Sequence, residues 1–226
     1  LEKYGLYFTR TLIRRSVNFL KTIKKKFPYL LLLLVMPVLG FIYTILNENP
    51  RRASQIPLPI DQEIPFVTAF VVPYIIWYAF ILGYLVYFCF KDTDVYIKTL
   101  LTIVIGELIC FVIYFFFQTT VPRPTIEGNG FFVMLVKYIY AHDQPVNCFP
   151  SIHVLTTYAI MLASFHIKNK HKWNTYFIHT MGSLIILSTL FIKQHVVLDM
   201  VASMFLVAFI YGTVFELYRI RVAARA

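Results

Sequence analysis

The sequence predicts an all-α, polytopic membrane protein, and three observations carry that expectation. Of 226 residues, 59% are apolar and only 14% charged. A soluble domain carries about 25% charged residues, so too little polar surface remains here to cover a water-exposed globule. Six apolar runs approach the ~20 residues that a bilayer-crossing helix needs. Lys and Arg, finally, concentrate in segments that six crossings would place on one face.

Residues 1–28 hold eight Lys or Arg, interspersed with Leu6, Phe8, Leu12, Ile13, Val17 and Phe19. This pattern reads as a basic amphipathic helix lying in the headgroup layer, with a disordered basic tail as the alternative. The chain opens on Leu1 rather than Met, so a native start upstream is expected, and no cleavable signal pattern is visible. The apolar runs fall at about 29–47, 66–90, 97–118, 151–167, 174–192 and 196–217. They predict a six-span membrane domain over 29–217, followed by a basic tail at 218–226.

Six spans put both termini on one side, and sixteen of the 21 Lys and Arg residues then share that side. The positive-inside bias assigns it to the cytoplasm, with the plasma membrane as the expected location. The 48–65 loop, the long 119–150 loop and the tight 192–196 turn emerge on the extracytoplasmic face. Long loops without periodicity are often functional, and the apolar stretch 131–140 within this one predicts a short interfacial helix.

The net charge of +10 does not point to nucleic acid, because the basic residues lie in tails and connections with no aromatic platform between them. The expected partners are the bilayer and a lipid. Cys89, Cys110 and Cys148 form neither a pair nor a metal spacing. Oligomeric state is not legible.

Polar side chains inside the spans are scarce, so those at the span ends are informative. Arg123 follows the third span, Pro150, Ser151 and His153 open the fourth, and Lys193, Gln194, His195 and Asp199 join the fifth to the sixth. All share one membrane layer. His195 and Asp199, at i and i+4 on a helix, occupy the same face. The carboxylate can therefore hold one imidazole nitrogen and leave the other as a nucleophile or base. Ser151 is a capping candidate at a helix start whose free N–H groups suit phosphate, and His153 is placed to protonate a leaving oxygen. Arg123 offers a planar fork for phosphate oxygens, while Lys193 and Gln194 add a charge and a donor.

This inventory fits phosphoryl transfer through a phosphohistidine, with no metal and no cofactor. The competing reading takes His153, His195 and Asp199 as a two-histidine, one-carboxylate metal triad, which the neighbouring Arg123 and Lys193 would oppose. Glu107 in mid-span is read as structural, His179 and Ser183 as hydrogen-bonding between helices, and His142 with Asp143, on the outer loop near the site, as a solvated loop pair, with a lid role as the alternative.

With these residues in hand, the chain resembles the type 2 phosphatidic acid phosphatase superfamily of six-span lipid phosphatases, which shares its core with vanadium haloperoxidases. The family pattern is KxxxxxxRP, PSGH and SRxxxxxHxxxD. Arg123 and Pro124 match the first motif, Pro150, Ser151 and His153 the second, and Ser188, His195 and Asp199 the third. Phe116 stands at the family lysine, Ile152 at the glycine and Thr189 at the arginine of the third motif. NCFPSIH, KQHxxxD, DQEIPF and the aromatic segment Tyr74 to Tyr78 look like the branch that includes inositol phosphorylceramide synthases and bacterial members.

The resemblance implies a metal-independent lipid phosphatase. His195 attacks phosphorus, Asp199 orients it, and His153 protonates the departing alcohol; the expected substrate is a lipid phosphomonoester or pyrophosphate. Arg123 and Ser151 hold the phosphate oxygens, with Lys193 in place of the missing arginine and Gln118 reaching in from the third span. The alternatives are a lipid phosphotransferase of the inositol phosphorylceramide synthase type and a non-catalytic lipid-binding or transport protein.

Overall fold

The computed structural model describes residues 20–223, with side chains through residue 216. The amphipathic helix expected over 1–28 therefore lies largely outside the described residues. Seven helices of three turns or more follow one another: α1 (Leu20–Glu48, tightened to a 3-10 turn at Leu31–Leu34), α2 (Val71–Lys91), α3 (Thr93–Phe116), α4 (Phe131–His142), α5 (Ile152–Ser164), α6 (Lys172–Phe191) and α7 (Val197–Ala223). The described residues contain isolated backbone bridges but no strand.

Four segments are long and apolar enough to cross a membrane: Leu20–Glu48, Thr68–Lys91, Thr93–Phe116 and Val197–Glu216. The expected fourth and fifth spans fall short of that standard for different reasons. Helix α5 has only 13 residues, a length of about 20 Å against ~30 Å of hydrocarbon. Helix α6 has 20 residues, but Asn174, His179, Thr180 and Ser183 dilute its hydropathy. The outward faces of the long helices carry exposed Phe41, Leu82, Val112, Phe205 and Phe209. So much contiguous apolar surface marks a face that meets something other than water.

The short helix is the hub of the bundle. Helix α5 packs against α2, α3, α6 and α7, whereas α1 packs along α3 at the periphery. Close approach to α5 requires small residues on its neighbours. A Cβ built on Gly106 of α3 would sit 2.9 Å from Leu155 Cδ1, and one on Gly182 of α6 2.7 Å from Met161 Sδ. His179 of α6 meets Ser164 Oγ of α5 at 3.3 Å, the interhelical role expected of it.

Where charged residues suggested a loop at 91–98, the chain makes a tight corner instead. Asp92 caps α3 by accepting from the backbone N–H groups of Asp94 (3.1 Å) and Val95 (3.2 Å), which satisfies orphan donors of the first turn. Lys98 pairs with Asp94 at 2.7 Å, four residues apart, so the helix starts in the polar layer and enters the apolar one afterwards.

Connections at the opposite end are knitted together. Ser54 N donates to Gln118 O and Thr120 N to Ser54 O, both at 3.0 Å. Thr120 bridges to Val146. Helix α4 forms over the stretch where a short helix was expected and packs Val136 onto Val71 and Tyr74 at the start of α2.

The close approach at Gly106 gives a test. Gly106→Val should lower the thermal unfolding midpoint of the detergent-solubilised protein by the equivalent of about 1–3 kcal/mol of overpacking. Gly83→Val carries the same propensity cost but meets nothing within 4 Å, and should fall well short of that loss. Equal losses at the two positions would show that packing on Leu155 is not the cause.

Candidate active site

The site begins with the turn that ends α6. Lys193 adopts a left-handed conformation (φ 52°), and the N–H groups of Gln194 and His195 both donate to Thr189 O at 3.0 Å. The chain then enters α7 with Asp199 in its first turn, where the helix dipole favours a negative charge. Asp199 Oδ2 accepts from Val196 N at 3.0 Å, closing the helix start from within. Asp61, from the connection between α1 and α2, closes it from outside: Oδ1 accepts from Val197 N at 2.8 Å and Oδ2 from Leu58 N at 2.6 Å.

His195 Nδ1 lies 2.9 Å from Cys148 O and 3.2 Å from Asp199 Oδ2. Both partners are acceptors, so Nδ1 carries the proton and the Nε2 lone pair is free. His195 is 9% exposed and Asp199 fully buried. The second histidine faces the first, with 6.3 Å between ring centroids. The His153 ring stacks on Tyr74 (4.3 Å) and packs against Trp77 (4.0 Å), and Trp77 is itself pinned by an Nε1–H bond to Thr156 Oγ1 at 2.8 Å.

Both histidines line one cavity of about 630 Å³. Its polar end also includes Asp143, Asn147 and Gln194. From there it runs between α1 and α2 past Tyr43, Trp77 and Ile81 to Leu33, Leu85 and Glu107. Leu33 lies ten residues from Tyr43 along α1, so the apolar limb is about 15 Å deep.

Four buried nitrogens lack a hydrogen-bond partner here: Arg123 Nε, Asn147 Nδ2, His153 Nε2 and Gln194 Nε2. Their amide orientations are fixed by the other half of each group. Asn147 Oδ1 accepts from Gln118 Nε2 at 2.7 Å, and Gln194 Oε1 accepts from Arg123 at 2.5 Å. Each orphaned polar group costs about 1–3 kcal/mol, and such groups cluster where function requires them. The donors around the two rings suit an oxygen-rich anion. The described residues contain no group of three or more His, Cys, Asp or Glu that could hold a metal ion.

The other sequence-selected residues are placed differently from one another. Ser151 is fully buried and caps α5, its Oγ accepting from Val154 N at 3.4 Å. Arg123 reaches the layer, but its terminal nitrogens are committed to Tyr140 O (3.2 Å), Asp143 O (2.8 Å) and Gln194. Lys193 Nζ turns away to the carbonyls of Asp61 (3.0 Å) and Ile64 (2.5 Å). Gln118 ties Asn147 to Arg51 N. Neither Lys193, Gln118 nor Ser151 lines the cavity.

Asp143, which read as a solvated loop residue, faces the cavity and accepts from Tyr43 Oη at 2.8 Å. Burial pushes its carboxyl above the ordinary range, opposed by the Tyr43 hydrogen bond and the Arg123 charge. Asn47 exchanges two bonds with Gln144, at 3.2 and 3.0 Å, and holds α1 to the same loop. Tyr43, Asn147 and Asp61 were not selected from the sequence, and Asp143 was named only as a loop residue near the site. The aromatic segment around Tyr74 and the DQEIPF stretch that contains Asp61 were the available signals.

An all-helical membrane bundle with two facing histidines at one end defines a class of protein, and the sequence comparison makes it specific. The PAP2 superfamily model matches residues 95–222, more than half of the chain, and the chain belongs to that superfamily. Neither the curated proteins nor the solved structures give a match. Membership supports an enzyme of the phosphatase or phosphotransferase type.

Asp61→Ala should cost about 1 kcal/mol of stability through the lost cap, read from thermal unfolding in detergent, with Asp61→Asn retaining most of it. Unaltered unfolding in the alanine variant would remove Asp61 from the support of α7.

Proposed function

We propose that this protein is an integral membrane lipid phosphatase that hydrolyses a phosphomonoester or pyrophosphate of a lipid through a phosphohistidine intermediate. The observation that carries this reading is the pair of facing imidazoles, with the unpartnered amide nitrogens of Asn147 and Gln194 among the residues at the same end of a cavity whose far limb is largely apolar. An anion with a hydrocarbon tail matches both halves.

In the first step the His195 Nε2 lone pair attacks phosphorus, and the bond from phosphorus to the lipid oxygen breaks. His153 in its imidazolium form gives that oxygen a proton, and the lipid alcohol (from a pyrophosphate, the lipid monophosphate) departs. Negative charge on the bound phosphoryl group stabilises the imidazolium beforehand. Asp199 stabilises the positive charge that His195 acquires, and the Cys148 carbonyl fixes the ring while it does so. In the second step His153, now neutral, takes a proton from water as its oxygen attacks phosphorus. The phosphorus–nitrogen bond breaks and orthophosphate leaves. Gln194 and Asn147 would stabilise the charge on the equatorial oxygens, with Arg123 behind Gln194.

An acceptor alcohol in place of water would make the same residues a phosphotransferase. The lysine and arginine excess on the opposite face supports an extracytoplasmic site with both termini cytoplasmic.

His195→Ala should reduce orthophosphate release from lipid phosphates to background, and His153→Ala should lower kcat by about 10²–10⁴-fold. Retained turnover without His195 would end the phosphohistidine mechanism, and a lipid product formed only with added alcohol would select the transferase. For sidedness, a cysteine introduced at Glu127 should react with an impermeant thiol reagent on intact cells; reaction only after lysis would reverse the orientation.

A further inference from the structure

The donors around the two histidines are sufficient for one phosphoryl group, and the rest of the cavity wall bears on whether a second can follow it. No Lys or Arg lines the cavity among the described residues, while two carboxyl groups, Asp143 and Glu107, do. Phe116, at one position where the family pattern has a cation, is 81% exposed on the outer face of α3. Thr189, at the other, is fully buried and donates its hydroxyl to Ile186 O at 2.7 Å. Lys193 is occupied by backbone carbonyls on the far side of its turn. Arg123 supplies the nearest positive charge, already shared among three oxygens.

Asp143 stands beside the reacting centre. The same Arg123 nitrogen that binds Gln194 Oε1 at 2.5 Å binds the Asp143 carbonyl at 2.8 Å, so Asp143 neighbours the residue preceding His195. Its carboxyl is held at the cavity by Tyr43. The donors that remain are uncharged amides on residues more than nine-tenths buried, Asn147 (2% exposed) and Gln194 (5%), each with an unpartnered nitrogen. Such donors bind one set of oxygens without supplying net charge. A second phosphoryl group would bring further negative charge against a carboxyl and find no cation to meet it.

We propose that Asp143 is a specificity-determining residue that restricts the site to lipids bearing a single phosphoryl group and disfavours diphosphates. The inference rests on the phosphatase reading above and narrows its substrate class to phosphomonoesters. Repulsion of the wrong partner is as effective a source of selectivity as attraction of the right one, and juxtaposed like charges are among its strongest forms.

The test uses the full chain in detergent with a polyprenyl monophosphate and the diphosphate of the same chain. The monophosphate should be favoured by about tenfold or more in kcat/KM, and Asp143→Asn, which keeps an acceptor for Tyr43, should raise the diphosphate-to-monophosphate ratio by about the same factor. Equal or better use of the diphosphate by the wild type, or an unchanged ratio in the variant, overturns the proposal.

A second readout does not depend on turnover. Trp77 packs against His153, and the other tryptophan, Trp173, is 75% exposed, so Trp77 fluorescence in a Trp173→Phe background reports anion binding. Inorganic phosphate should bind more tightly than pyrophosphate, with the gap narrowed by Asp143→Asn. If that pattern holds while no lipid phosphate is hydrolysed, selectivity stands and the phosphatase reading fails. Tighter pyrophosphate binding, or no response to phosphate, overturns the selectivity itself.

Discussion

A single N–H group, on Nδ1 of His195, is shared between the Cys148 carbonyl and the Asp199 carboxylate, and much of the architecture at this end of the bundle brings those two acceptors together. Asp199 arrives on the first turn of α7, just after the connection that holds His195, and its position costs the fold little. Cys148 arrives from a loop, and its carbonyl has to be delivered. Gln118 holds Asn147 in its left-handed conformation, the Thr119 hydroxyl accepts from Phe149 N at 2.8 Å, and the Tyr114 hydroxyl binds Pro150 O. Three residues at the end of α3 and just beyond it thus position three residues of the segment that leads into α5. The tautomer that exposes a lone pair at Nε2 depends on that delivery.

The central position of α5 follows from the same requirement. Its N-terminus has to meet α7 at the depth of His195, where Ser203 Oγ donates to Ser151 O at 3.0 Å. Four helices surround it, so its 13 residues need not span the hydrocarbon. Its backbone ends are satisfied by protein, and the glycines of α3 and α6 allow the approach. Hydropathy in a window sees an apolar run of bilayer length at 151–167. It does not see that the run is enclosed by protein on all sides.

The helical class and the approximate helix positions were legible because each rests on local periodicity. The capping role of Ser151 was legible for the same reason. His195 and Asp199 do meet, but His195 precedes α7 instead of sharing its face, and the turn after α6 brings the two together. What escaped were destinations of long or flexible side chains across loops. Lys193 and Gln194 are adjacent in sequence, yet the left-handed turn sends one to Asp61 and Ile64 and the other into the cavity. Asp143 resembles any solvated loop aspartate until Tyr43, a hundred residues earlier, closes over it. Neither the conformation of a tight turn nor a contact between α1 and a distant loop has a periodic signature.

The distribution of charge ties these points together. Positions where the family pattern has a lysine and an arginine hold Phe116 and Thr189, and the structure supplies neither cation from elsewhere. Two amides, Asn147 and Gln194, stand among the lining residues instead, each with an unpartnered nitrogen and each fixed through its oxygen by Gln118 and Arg123 respectively. A fixed amide dipole in a water-poor site stabilises developing charge without reorganising during the reaction. It adds no net charge, so the overall balance at the site is left to His153, Arg123 and the carboxyl groups. Replacing mobile cations by anchored dipoles therefore moves control over which anions enter from the donors to Asp143, whose own position is set by α1. The peripheral helix, which packs along α3 and borders the cavity, is in this way coupled to the chemistry at its far wall.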